Sequence, residues 1–98
     1  MDVKKLFDLT DKVVIITGAA GMLGSRYAFG LSNQGANVVL ADINFTDCKN
    51  IEKEIRHSLN TDPFSIKLDL TKTKSIKSMI SNVLKKYSKI DVLINNAA

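Results

Sequence analysis

Along the chain, short runs of β-branched and apolar residues alternate with longer stretches in which apolar positions recur every three or four residues. Lys12–Thr17 reads as a first strand, and its unbroken β-branched character predicts burial on both faces, as in a parallel sheet. Asn37–Asp42 reads as a second strand of the same kind, and Ile90–Asn95 as a fourth. Phe64–Asp69 alternates apolar with polar residues, which predicts a third strand at the edge of the sheet.

Three helical patterns separate these strands. The first, Met22–Gln34, carries small residues on its inner face and stops at Gly35, a residue suited to the left-handed helix end. The second, Thr46–Leu59, sets Cys48, Ile51, Ile55 and Leu59 inward and leaves Lys49, Glu52, Lys53 and Arg56 outward; Asn60–Pro63 then reads as a turn. The third, Lys72–Tyr87, groups Ile76, Ile80, Val83, Leu84 and Tyr87 on one face, with Lys74, Lys77, Ser81 and Lys85 on a solvated one. The order β-α-β-α-β-α-β with right-handed crossovers predicts an α/β fold: the N-terminal half of a doubly wound, Rossmann-type parallel sheet with strand order 3-2-1-4. One partial domain spans residues 1–98. The C-terminal edge of that sheet lacks a neighbour for the fourth strand, so the chain reads as a fragment.

Composition narrows the functional classes. With 45% hydrophobic and 24% charged residues the chain is an ordinary globular mixture. Apolar runs such as Val13–Ile16 are far short of the roughly 20 residues of a membrane span, and no long apolar core follows Met1-Asp2-Val3-Lys4-Lys5. No membrane partner is expected. The single cysteine, Cys48, has no disulfide or metal-ligand partner, which fits a buried small side chain in a reducing, cytoplasmic setting. Lysine supplies 12 of the 14 basic residues behind the net charge of +4, and Lys, Asn and Ile together make up 30 of 98 residues. That skew fits an AT-rich genome, and no basic stripe interleaves with aromatics, so no nucleic-acid partner is expected.

The chemistry concentrates between the first strand and first helix. Thr17-Gly18-Ala19-Ala20-Gly21-Met22-Leu23-Gly24 stands where free amides and the helix dipole can meet a pyrophosphate. Gly18 permits a tight turn, Gly21 or the Met22 backbone a close phosphate approach, and Gly24 tight helix packing. Asp42 ends the second strand 24 residues after Gly18, where a carboxylate can accept bonds from both adenosine ribose hydroxyls. It would repel a 2′-phosphate, and neither Gly21 nor Ile43 supplies a cation to offset that. NAD is therefore expected over NADP.

Four segments carry a family resemblance in order and spacing: Leu9–Gly18, Ala41-Asp42, Leu68-Asp69-Leu70-Thr71 and Asn95-Asn96-Ala97-Ala98. Together they resemble the N-terminal part of a short-chain dehydrogenase/reductase of the classical branch, similar to some oxidoreductases of bacterial surface-glycan pathways. The resemblance implies that Asp69 accepts a bond from the adenine amino group and that the Leu70 amide contacts the ring. It implies further that Asn95 stabilises the central sheet while Asn96 and Ala97 line the ribose on the nicotinamide side. The candidate cofactor-binding set is thus Gly18, Gly21, Met22, Leu23 and Gly24 in the loop, with Asp42, Ile43, Asp69, Leu70, Asn96 and Ala97 around it. Two positions depart from the family. Met22 stands where Gly or Ala is usual, giving the glycine spacing of the extended branch, and Ala98 replaces a glycine.

In the family a Ser and a Tyr-x-x-x-Lys pair, in which the lysine lowers the tyrosine pKa, perform the proton transfer. Here Tyr27 is followed four residues later by Leu31 and Tyr87 by Asp91, and His57 stands in no nucleophile or carboxylate arrangement. The expectation is the cofactor-binding portion of an NAD-dependent oxidoreductase acting on a small alcohol or carbonyl, homo-oligomeric when whole. A non-catalytic nucleotide-binding module ending at Ala98 is the rival reading. An S-adenosylmethionine methyltransferase accounts poorly for Thr17 and Asn95-Asn96-Ala97, and a P-loop phosphotransferase lacks its Gly-Lys-Ser/Thr.

Overall fold

Five consecutive β-branched residues, Val13–Thr17, form strand β1, and all five are buried in the computed structural model. Residues 6–97 are described; Met1–Lys5 and Ala98, on which the leader and final-glycine readings fell, lie outside them. The other elements are α1 (Met22–Asn33), β2 (Asn37–Asp42), α2 (Phe45–Ser58), β3 (Phe64–Lys67), α3 (Thr73–Tyr87) and β4 (Val92–Ile94). The sheet is parallel throughout with order β3-β2-β1-β4, as the pattern predicts. Strand side chains alternate between its faces. Val14, Ile16, Val38 and Leu40 meet Ala28 of α1 with Cys48 and Ile55 of α2 on one side. On the other, Val13, Ile15, Val39 and Ala41 meet Met79 and Val83 of α3. The result is three layers, with each fully buried valine or isoleucine worth about 1.5–3 kcal/mol.

Helix α1 packs through Gly24, Ala28 and Ser32, spaced four apart, so its backbone lies close to the sheet. Its end follows the Gly35 signal. The Gly35 amide donates to Ser32 O at 2.9 Å and the Ala36 amide to Leu31 O at 3.1 Å, with Gly35 at φ +100°. Helix α2 starts at Phe45 under an Asn44 cap, whose side chain accepts from the Asp47 amide at 3.2 Å.

Three expectations need correction. Glu52 does not face outward. It is 8% exposed, and its Oε1 accepts from the Ser65 amide of β3 at 2.8 Å while Oε2 pairs with Lys49 at 3.1 Å. Helical periodicity marks Glu52 as polar and therefore external, but the edge strand offers an amide with no sheet partner on that side, and the carboxylate satisfies it. The inner face of α3 is also rotated: Met79 and Val83 are its buried positions, while Ile80 and Leu84 are 41% and 44% exposed on its flank. Finally, β4 is shorter than expected, and Val92 and Leu93 are exposed because β1 is its sole neighbour among the described residues.

A polar cluster fastens the α2–β3 turn. The Asp62 carboxylate lies 3.1 Å from both Arg56 and Lys86, the Tyr87 hydroxyl donates to Asp62 O at 2.6 Å, and the Asp62 amide donates to Asn37 Oδ1 at 3.0 Å. Burial, then the nearby Asp62 carboxylate, pushes the Tyr87 hydroxyl well above its ordinary value, so it stays protonated as a structural donor. Burial chiefly, with Asp42, Asp47 and Glu52 adding to it, pushes the Cys48 thiol up to about 12, which leaves it inert at neutral pH.

For Glu52 burial is the largest influence and raises the pKa, but bonds from Lys49 and Ser65 together outweigh it and hold the carboxyl below its ordinary 4.5. Its contribution is therefore full above that value and is lost as pH falls through the lower folded one. Glu52→Ala should cost about 1–3 kcal/mol in urea unfolding at pH 7. The gap from the natural protein should narrow as the pH falls below 4.5; a pH-independent gap would contradict the assignment.

Candidate functional site

Parallel strands end their carboxyl termini at one edge, and here the glycine turn, the exits of β2 and β3 and the segment after β4 meet around a cavity of about 690 Å³. At its centre the chain turns sharply from β1 into α1. Gly18 takes φ +65°, and a Cβ there would stand 3.0 Å from Ala97 Cα. A Cβ on Gly24 would meet the Gly18 carbonyl, with Ala19 Cα at 2.9 Å and Asn96 Nδ2 at 2.8 Å, so α1 crosses the turn backbone to backbone. Gly21 differs from both. It is the α1 N-cap at φ −75°, and a Cβ there would find its nearest neighbour, Gly18 O, at an ordinary 3.4 Å.

The first amides of α1, those of Met22, Leu23 and Gly24, are among the four an α-helix cannot satisfy itself, and among the described residues no side chain caps them. The first turn carries no acidic residue to oppose an anion. Met22 is 74% exposed, so its side chain points away from the packed core and spares the turn any crowding.

On one flank the Thr17 hydroxyl accepts from the amides of Asn96 at 3.0 Å and Ala97 at 3.3 Å, and donates toward Asn95 Oδ1 at 3.2 Å. Asn96 Nδ2 adds a bond to Gly18 O at 3.3 Å. These contacts seat the segment after β4 over the glycine turn, and Asn95 Oδ1 links the end of β4 to the end of β1. On the opposite flank Asp42 accepts from the Ala20 amide at 3.1 Å through Oδ2 and from the Asn44 amide at 2.9 Å through Oδ1. Each oxygen has capacity for a further bond, and Asp42 lines the cavity.

Asp69 closes the third side. Bonds from the Thr71 hydroxyl at 2.6 Å and Thr71 amide at 3.0 Å, both to Oδ1, hold its carboxyl below the usual carboxylate range, with Lys72 and Lys67 adding weakly. Among the described residues Oδ2 has only the Lys72 ammonium near it, 4.0 Å away. Of the eleven candidate residues, ten line the cavity: Gly18, Gly21, Met22 and Leu23, then Asp42 and Ile43, then Asp69 and Leu70, then Asn96 and Ala97. Gly24 does not, and acts by packing. Ala41 and Leu68 complete the lining; as buried strand-end residues they carry no polar signature by which sequence could mark them. Thr17 reads in sequence as the end of the first strand and the head of the glycine motif, but nothing in the chain announces that its hydroxyl holds the segment after β4.

The family model for short chain dehydrogenases matches residues 12–98. The chain belongs to this family. A curated relative, the NAD-dependent glycerol dehydrogenase of Listeria innocua, is 39% identical over 93 residues, which is 95% of this chain and 35% of the relative. An NAD⁺-bound xylitol dehydrogenase superposes with a TM-score of 0.87 at 29% identity, covering 92% of this chain and 34% of that one. A metagenomic short-chain oxidoreductase in complex with NADP gives a TM-score of 0.87 at 31% identity, covering 93% and 41%. The chain thus spans about a third of the length of the curated relatives it matches. It is nucleotide-binding architecture of an oxidoreductase family whose members use nicotinamide cofactors. Among the described residues no helix is long and apolar enough to cross a membrane.

The two short-chain dehydrogenase glycines should separate on substitution. Gly24→Ala should cost about 1–3 kcal/mol in urea unfolding, because the added methyl meets backbone on two sides. Gly21→Ala should stay within about 1 kcal/mol, the cost of a poorer N-cap. Equal losses would contradict the packing described.

Proposed function

We propose that the chain, as one partial dinucleotide-binding domain, is the cofactor-holding portion of an NAD-dependent oxidoreductase that moves a hydride between nicotinamide and a small alcohol or carbonyl. The observation that carries this reading is the convergence of ten residues from four separate chain segments on one cavity, beside helix amides unpartnered among the described residues. The fit is good. Gly21 has no side chain although the fold leaves room for one, which clears the approach to the amides of Met22 and Leu23 for a pyrophosphate. Asp42 would accept from the adenosine ribose hydroxyls with its spare lone pairs. Asp69, through Oδ2, would accept from the adenine amino group, while the Leu70 amide contacts the ring between the exposed side chains of Leu70 and Ile43. Asn96 and Ala97 would line the nicotinamide-side ribose.

The bound cofactor supplies the hydride chemistry, and this chain binds and orients it. Proton transfer falls to a Ser and a Tyr-x-x-x-Lys pair that these 98 residues do not contain. Tyr87 cannot stand in, being held protonated against Asp62. A homo-oligomeric, cytoplasmic enzyme is the proposed setting for the whole protein.

Preference for NAD follows from charge. A 2′-phosphate would sit against the Asp42 carboxylate, and among the described residues the cavity lining holds no Lys or Arg to offset the repulsion. In calorimetric titration of the full-length protein NAD should bind at least about tenfold more tightly than NADP. Asp42→Ala should narrow that ratio by weakening NAD. Equal affinities in the natural protein would contradict the ribose assignment.

A further inference from the structure

Asp42 touches more of the site than the ribose reading requires. Its carboxylate accepts from the Ala20 amide of the glycine turn at 3.1 Å and from Asn44 at the start of α2 at 2.9 Å, while its own carbonyl accepts from the Leu68 amide at 3.0 Å. One residue therefore joins the three backbone segments that surround the adenosine half of the cavity. Within the turn the other backbone ties are Ala19 N to Ala41 O at 3.3 Å and Gly21 N to Gly18 O at 3.1 Å. The bond from Ala20 is thus the charge-assisted one, and it sits immediately before Gly21 and the free amides of α1.

We infer that Asp42 is the positioning residue of the phosphate-binding turn: through the Ala20 amide it sets where the Met22 and Leu23 amides point. The inference rests on the cofactor reading above and extends it, because it assigns Asp42 an effect on a part of the cofactor that it does not contact. If Asp42 acted only through ribose hydroxyls, a ligand without those hydroxyls would be indifferent to its removal. If it holds the turn, such a ligand loses affinity too. The electrostatic contribution has the opposite sign, since deleting a carboxylate beside an anionic ligand strengthens binding by charge alone. Weaker binding therefore reports the lost tie and not the lost charge.

The test uses full-length protein, natural and with Asp42→Ala or Asp42→Asn, titrated calorimetrically with NAD and with an NAD analogue whose adenosine ribose has no 2′ or 3′ hydroxyl. Asp42→Ala should weaken the analogue about tenfold and NAD by more. Asp42→Asn, which keeps one acceptor oxygen and can retain one of the two amide bonds, should fall between; it also serves if the alanine variant does not fold. Analogue affinity that is unchanged or improved in both variants, with NAD still weakened, overturns the positioning role and leaves the cofactor reading standing. Failure of the natural protein to bind NAD overturns the cofactor reading itself. The tie is then read without ligand by amide hydrogen exchange at Ala20, expected to quicken about tenfold in Asp42→Ala. Unchanged exchange there overturns the positioning role in either case.

Discussion

The contact of Gly24 with the backbone of Gly18 and Ala19 is the constraint from which the rest of the site follows. A helix can cross a strand-to-helix turn this closely only where a residue contributes no Cβ, and the close crossing places the start of α1 directly over the carboxyl end of β1. Because β1 is flanked by β2 and β4, with the chain returning on opposite sides of it, this point is also where the sheet opens a crevice. Helix dipole, free amides and cavity coincide there as a consequence of one backbone approach.

Around that point the strand ends bind the loops with polar groups that the sheet itself does not use. The Thr17 side chain at the end of β1 holds the segment after β4, and the Asp42 side chain at the end of β2 holds the glycine turn and the first residue before α2. The same two side chains therefore stabilise the fold and shape the cavity. At the opposite end of the sheet the Asp62 cluster does corresponding work on the α2–β3 turn. The polar groups at one end are left with spare hydrogen-bonding capacity, and those at the other end are consumed by their neighbours.

Much of this was legible in sequence, because the informative signals are local. Runs of β-branched residues marked β1 and β2, a Gly after an apolar helix marked the end of α1, and strict order placed four motif segments on the correct side of the sheet. Glu52 was misread because a helical wheel treats a carboxylate as solvent-seeking, whereas its partner is an edge-strand amide thirteen residues away. Ile80 and Leu84 were misplaced because periodicity gives an apolar arc without saying which part of it a neighbouring layer covers. Position in the motif assigns Gly21 to phosphate approach and Gly24 to helix packing, and the added Cβ contacts of the fold show that packing requires a glycine at 24 but leaves room for a side chain at 21.

The central claim is that a dinucleotide lies across the carboxyl end of β1 with its pyrophosphate on the α1 amides. Amide chemical-shift mapping of the full-length protein on addition of NAD tests it most directly. The account predicts that the largest changes fall on Gly21, Met22 and Leu23, with a second group at Asp42–Ile43, Leu70 and Asn96–Ala97. Saturable changes that leave the Met22 and Leu23 amides unmoved, or that cluster near Asp62 and Tyr87, would contradict it.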